Sequence, residues 1–248
     1  MLYENRILKM ANSEPINLSL EDHFKIFGYE IIASNTPKFN DSIKKNAIEI
    51  LKHFSQCSDI LLFIQSALSR ESFNLKYSLS PPYTTSNLDC DYILKKLVDV
   101  NLLNDYFFSS VSKSYRIDVK KSTEHNLNSI LCIGLFSLLT DLSIKDILIN
   151  ACIKKKSGEY IAADLVCSVK NKILLFNFEL ASGLEKDVTC HSKQLRRLSN
   201  KVLQTYTIEN SNIKELFIVS QHCKTLLPEY NCVIPINNIA EYINQITS

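Results

Sequence analysis

The stretch KNKILLFNFELAS, residues 170–182, decides the fold because its apolar side chains repeat every two residues. The even-numbered positions from 174 to 180 are all apolar, which predicts that they form the core face of a β-strand. The opposite face ends in Asn177, Glu179 and Ala181. The sequence therefore predicts a strand that presents a carboxylate, Glu179, at its end.

A second strand, EYIAADLVCSV at residues 159–169, precedes this one and carries Asp164. If Asn171 and Lys172 form a two-residue turn, counting back along the antiparallel ladder places Asp164 directly opposite Glu179. A three-residue turn would place Phe178 opposite Asp164 instead.

Two paired carboxylates have β-carbons only about 5 Å apart, so they repel each other unless a cation lies between them. The functional interpretation of Asp164 and Glu179 is therefore a divalent-metal site. Oxygen ligands suit Mg²⁺ or Mn²⁺, which activate water for attack on a phosphodiester. The alternative is a pair of solvated acids near the strand ends.

The order of elements around this hairpin predicts an α/β domain at residues 127–248. A buried helix precedes three strands, and a basic helix, another strand, a short extended piece and a helix follow. Such an order predicts a mixed sheet flanked by helices.

Residues 1–126 are predicted to form a helical region that resembles a winged helix. Ser19 is a candidate N-cap, and NDSIKKNAIEILKHF and SDILLFIQSALSR have helical periodicity. The helix DCDYILKKLVDVNLL and the hairpin YFFSSVSKSYRIDV give the outline of a winged helix. That helix offers only Lys95 and Lys96 among several acids, which favours packing or dimerisation over DNA recognition.

Composition excludes some classes of protein. The 4 glycines form no phosphate-binding loop, and the net charge of +2 means that any nucleic-acid surface must come from a local cluster. The 8 cysteines are scattered and form no CxxC, and no apolar signal core opens the chain. These features predict a cytoplasmic protein with buried thiols, and its apolar runs are too short to span a bilayer.

Most of the chain, and residues 127–220 most strongly, resembles the effector half of CRISPR-associated nucleases that cyclic oligoadenylates activate. Those nucleases belong to the PD-(D/E)xK, restriction-endonuclease-like superfamily. The match is the order of parts: a helix, a strand, a strand carrying Asp164, a tight turn, and a strand ending in Glu179. The resemblance implies a metal-dependent endonuclease with Mg²⁺ or Mn²⁺ held by Asp164 and Glu179, with Glu159 as an extra carboxylate, acting on DNA or RNA.

The sequence departs from the family at three points. Ala181 replaces the lysine of the motif, and residues 136–138 hold no counterpart of the family's helical glutamate. The family's Rossmann-like ring-nucleotide sensor finds no room before Ser19. Lys186 or Lys193, on the basic helix, is the candidate replacement for the lysine, although solvated lysines on a helix surface are the alternative.

The same basic helix predicts a nucleic-acid contact through charge alone. Its cluster consists of Lys193, Arg196, Arg197 and Lys201, and a solvated helix face is the competing account. Two functions follow: a weak metal-dependent endonuclease, or a non-catalytic binding or assembly protein built on a decayed nuclease fold. The second includes homodimerisation through the apolar middle region.

Overall fold

The computed structural model describes residues 19–35, 39–69, 76–79, 83, 85–120, 126–144, 146–170, 172–180, 196, 200, 213–219 and 231–247. The elements of the first half are α1 (Leu20–Ile26), β1 (Tyr29–Asn35), α2 (Asp41–Lys52), α3 (Ser58–Ser69), β2 (Lys76–Leu79), α4 (Asn87–Asp99), β3 (Leu103–Ser109) and β4 (Ser114–Val119). Those of the second half are α5 (Leu127–Asp141), β5 (Leu148–Lys155), β6 (Tyr160–Val169), β7 (Lys172–Glu179), β8 (Ile213–Val219), β9 (Val233–Pro235), a 3₁₀ turn (Ile236–Asn238) and α6 (Ile239–Thr247). No helix of this described part is long and apolar enough to cross a membrane.

A mixed six-stranded sheet forms the centre of the molecule, in the order β1-β5-β6-β7-β8-β9. In this sheet β1, β5, β6 and β7 are each antiparallel to the next, whereas β8 and β9 run parallel to β7. Helix α1 packs on one face through Leu20 and Phe24, and α5 and α6 pack on the other. The predicted α/β class, with helices flanking a mixed sheet, is confirmed.

The even-numbered positions of β7 lie in the larger core, as predicted. Leu174, Phe176 and Phe178 are buried against the α5 side of the sheet. Leu175, on the opposite face, is also buried, because α1 covers that face. Strand β7 is therefore buried on both faces along most of its length, and only its last residues reach polar surroundings.

The helices predicted before residue 126 are present, and the predicted N-cap at Ser19 is confirmed. The Ser19 side chain accepts the N–H of Asp22, and the Asn40 side chain accepts the N–H of Ile43. Strand β2 pairs with β4 and makes a three-stranded sheet in the order β2-β4-β3. The comparison with a winged helix stays a prediction.

The two halves of the chain share one core. Strand β1 pairs with β5 along the edge of the large sheet, and α2 packs along α5. At the crossing of these helices, a β-carbon on Gly134 would lie 2.6 Å from the carbonyl oxygen of Ala47. The absence of a side chain at Gly134 is thus what permits the close approach. The division at residue 126 stays a prediction.

Replacing Gly134 by Ala is expected to destabilise the protein by about 1–3 kcal/mol, because the new methyl group overpacks the crossing. In an uncrowded helix the same change would stabilise by up to about 1 kcal/mol, so the sign of the effect is diagnostic. Urea denaturation followed by circular dichroism measures the free energy of unfolding.

The control for Gly134→Ala is Thr140→Ala, at an exposed position of the same helix. Its effect is expected to stay within about 0.5 kcal/mol. A more stable Gly134→Ala variant would show that the helices separate without cost and would contradict the close crossing.

Candidate functional site

The turn between β6 and β7 fixes which residues face each other across the hairpin. Val169 pairs with Lys172, so the two-residue turn begins at Lys170, which takes the positive φ of 48°. The prediction that Asp164 lies directly opposite Glu179 is therefore wrong by two residues. Continuing the observed register brings Asp164 opposite Asn177.

The two strands separate at this point. The ladder between them ends at the pair Leu165–Phe176, although β6 begins at Tyr160 and β7 continues to Glu179. The next main-chain groups of β7 need other partners, since an unpaired buried amide is costly.

Side chains supply the partners that β6 no longer offers. The N–H of Phe178 donates to Asp164 Oδ2 at 2.7 Å, and the carbonyl of Phe178 accepts from Asn128 Nδ2 at 3.3 Å. Asn128 lies in the first turn of α5, so the helix is tied to the end of β7. The Asp164 carboxylate therefore has a structural partner in addition to any functional one.

An amide extends this network across the sheet. Asn177 accepts the N–H of Asp164 with Oδ1 at 3.3 Å and donates from Nδ2 to Glu215 Oε1 at 2.9 Å. A carboxylate only accepts, so Glu215 fixes which way the Asn177 amide points. The sequence interpretation missed Glu215 because it lies on β8, and no local pattern connects β8 to Asp164.

Asp164 lies at a kink in β6. Its carbonyl accepts a hydrogen bond from Cys132 Sγ of α5 at 3.1 Å, and Asn150, at the same level of β5, has a φ of 49°. Ala163 and Val166 both pack on the α1 side of the sheet. In a regular strand, residues three apart point to opposite faces, so the strand is distorted between them. The kink thus turns the Asp164 side chain towards β7.

Cys132 is not an additional nucleophile of the site. Burial raises the pKa of its thiol well above the usual range, and the nearby charge of Asp164 raises the pKa further. The thiolate form is therefore scarce at neutral pH, and Cys132 acts as a hydrogen-bond donor. The six cysteines in the described part of the chain are all free.

Glu179 lies at the end of β7, half-buried, on the same face as Asn177. Two residues separate it from the level of Asp164, roughly 7 Å along the strand. The structure thus brings Asp164 and Glu179 to neighbouring strands where these strands separate. This geometry is looser than the direct pairing that the sequence predicted.

Glu159 is not near Asp164. It lies in the β5–β6 turn, where its carboxylate binds Lys155 Nζ at 3.0 Å. This hydrogen bond lowers the pKa of Glu159. Five residues separate it from Asp164, about 16 Å along an extended strand.

The predicted basic helix falls almost entirely outside the described residues. Arg196 is helical and exposed. Ala181 and the remaining candidates lie outside the described part: Lys186, Lys193, Arg197 and Lys201.

The donor set fits a hard divalent cation only in part. Asp164 and Glu179 offer oxygen ligands, and Mg²⁺ needs only one or two carboxylates because it retains several waters. Among the described residues, however, no group of three or more acidic, histidine or cysteine side chains is placed to hold a metal.

Comparisons with known proteins show similarity of fold. No family model and no curated protein sequence matches the chain. The structure is similar to Can2 from Sulfobacillus thermosulfidooxidans, solved in complex with cyclic tetra-adenylate, with a TM-score of 0.55 and 11% identity. It is also similar to protein VC1899 from Vibrio cholerae, with the same TM-score and identity. Both matches cover 93% of this chain but only 59% and 60% of the other chains.

Replacing Asp164 by Ala is expected to destabilise the protein by about 1–3 kcal/mol, because the N–H of Phe178 loses its acceptor. Asp164→Asn keeps an acceptor oxygen, so it should cost less than half as much. Urea denaturation of both variants measures these losses.

Asp141→Ala serves as the control, since Asp141 is an exposed acid near the end of α5. A change within about 0.5 kcal/mol is expected there. Equal losses in Asp164→Ala and Asp164→Asn would show that the charge, and not the hydrogen bond, supports the strand end.

Proposed function

We propose that the protein is a metal-dependent endonuclease of the PD-(D/E)xK type with weak activity on DNA or RNA. One observation carries the proposal: Asp164 and Glu179 lie on neighbouring strands, β6 and β7, where the ladder between these strands ends. The similarity of the fold to Can2, whose structure holds a cyclic oligoadenylate, supports the family resemblance.

Asp164 and Glu179 are the residues that would hold Mg²⁺ or Mn²⁺. When bound, the metal supplies a Lewis acid and an activated water for phosphodiester hydrolysis. The hydrogen bond from Phe178 to Asp164 Oδ2 orients the carboxylate before any ligand arrives. Such preorganisation reduces the cost of reorganisation when charge develops.

Lys186 or Lys193 would take the role of the lysine that Ala181 replaces. A lysine that reaches in from a helix has several rotamers to restrict, so it restores only part of the missing charge stabilisation. The proposed turnover is therefore well below that of a site with the complete motif. Lys193, Arg196, Arg197 and Lys201 remain the proposed phosphate contacts of that helix.

The experiment is a cleavage assay on plasmid and on single-stranded DNA and RNA, with Mn²⁺ or Mg²⁺ and with EDTA as the blank. Cleavage that needs the metal and disappears in Glu179→Gln supports the proposal. Asp164→Asn, which keeps the hydrogen bond, separates loss of chemistry from loss of fold. Metal-dependent cleavage that survives both substitutions would exclude this site.

Replacing Ala181 by Lys is expected to raise the cleavage rate on the order of a hundredfold, because one preorganised cation is restored. Initial rates under the same metal and substrate concentrations give the comparison. Ala181→Met, a long side chain without charge, is the matched control and should leave the rate unchanged. If Ala181→Lys folds normally by circular dichroism and gains nothing, the proposed site lacks more than its lysine.

A second candidate function is non-catalytic binding or assembly on a decayed nuclease fold, including a homodimer. Two observations favour it: Ala181 in the motif, and the use of Asp164 Oδ2 by the main chain. Calorimetric titration with Mn²⁺ discriminates the two candidates. Binding that Asp164→Asn abolishes supports the nuclease, whereas no binding supports the second candidate.

A further inference from the structure

The β5–β6 hairpin lies at the same end of the sheet as Glu179. Strand β5 ends at Lys155 and β6 begins at Tyr160, while β7, antiparallel to β6, ends at Glu179. The hairpin turn is closed by main-chain hydrogen bonds from Lys155 to Glu159 and from Gly158 to Lys155, at 2.7 and 2.9 Å. The turn is thus a well-defined element beside the candidate site.

Three successive lysines occupy this hairpin, and their charges differ in availability. Lys155 is largely covered, and its Nζ binds Glu159 at 3.0 Å. Among the described residues, Lys154 and Lys156 take part in no ion pair. Two cations of the hairpin are therefore available to an external anion.

Glu30 is the acid that opposes this positive charge. It stands across from Lys154 in the register of β1 and β5, yet the two make no ion pair. Lys25, at the end of α1, is exposed, and the turn after α1 approaches the hairpin where Gly28 lies beside Lys156.

An exposed aromatic ring completes the surface. Tyr160 pairs with Lys154 across the strands, so both side chains lie on the same face, and Tyr160 is 64% exposed. A ring that remains this exposed contributes little to the core. An aromatic face beside Lys154, with Lys156 in the adjoining turn, is the kind of arrangement that binds single-stranded nucleic acids through base stacking and phosphate contact.

We propose that the hairpin, residues 154–160, is a docking element for single-stranded nucleic acid. Tyr160 stacks on a base, and Lys154 and Lys156 contact the flanking phosphates. Docking itself does not need the metal; only its role in delivering a substrate strand rests on the proposed nuclease function.

The spacing suits one continuous strand. Four residues of β6 separate Tyr160 from Asp164, about 13 Å. A nucleic-acid strand in helical form rises 3.4 Å per phosphate, so about four phosphates span this distance. A strand held at the hairpin therefore reaches the point where β6 and β7 separate.

The test is fluorescence anisotropy with labelled 20-nucleotide single strands of DNA and of RNA, in EDTA and over a range of salt concentrations. Tyr160→Ala is expected to weaken binding about 5- to 150-fold, the range for loss of one stacked base, while Tyr160→Phe keeps the affinity. The double variant Lys154→Ala/Lys156→Ala should lower the slope of log affinity against log salt by about 1.4, since each phosphate contact on a single strand contributes roughly 0.7.

The matched control is the double variant Lys120→Ala/Lys172→Ala. Both lysines are exposed; Lys172 lies at the opposite end of β7, and Lys120 follows β4. Loss of affinity in the hairpin variants but not in this control supports the proposal. Tighter binding of DNA or of RNA shows which of the two the hairpin prefers.

Two results would overturn the docking role: no binding of either strand by the unmodified protein, or equal affinity of hairpin and control variants. If the protein cleaves in a metal-dependent way but the hairpin and control variants bind with equal affinity, the docking role is wrong and the proposed nuclease function stands. If binding depends on the hairpin but the protein cleaves no substrate, the docking role stands and the proposed nuclease function is wrong.

Discussion

Both main-chain polar groups of Phe178 need side-chain partners, because β6 leaves β7 just before this residue. Asp164 takes the N–H and Asn128 supplies the carbonyl with a donor. An unsatisfied buried amide would cost about 1–3 kcal/mol, so these two contacts stabilise β7 on the side that β6 leaves, while β8 pairs with its other side. Glu179 follows at the end of this segment, opposite Val219 of β8.

The hydrogen bond from Phe178 gives Asp164 a structural role besides any functional one. An aspartate that accepts a main-chain N–H has a structural reason to be there, whatever its chemistry. Asparagine could make the same hydrogen bond without the charge, and the neighbouring Glu215 already fixes the Asn177 amide. This hydrogen bond does not by itself require the negative charge at position 164, which the proposed cation would use.

The sequence predicts the order of the elements well but not their long-range pairing. The periodicity of β7 and α2 and the Ser19 cap of α1 are local signals, and they lead to the correct strand and helices. The register failed because the turn begins at Lys170, one residue earlier than predicted, and a turn displaced by one residue moves the pairing by two. Asn128 and Glu215 reach the site from distant elements, so no local pattern could reveal them.

Helix α5 connects this site to the helical part of the chain. Within its first eight residues, Asn128 binds β7, Cys132 binds the carbonyl of Asp164, and Gly134 contacts α2. The helix is buried continuously from Ile130 to Leu135, as expected for an element whose middle is enclosed by the core. A close-packed helix moves as a unit, since its side chains leave no space for independent adjustment. The packing of α5 against α2 at Gly134 therefore also fixes the position of the hydrogen bonds to Asp164 and to the end of β7.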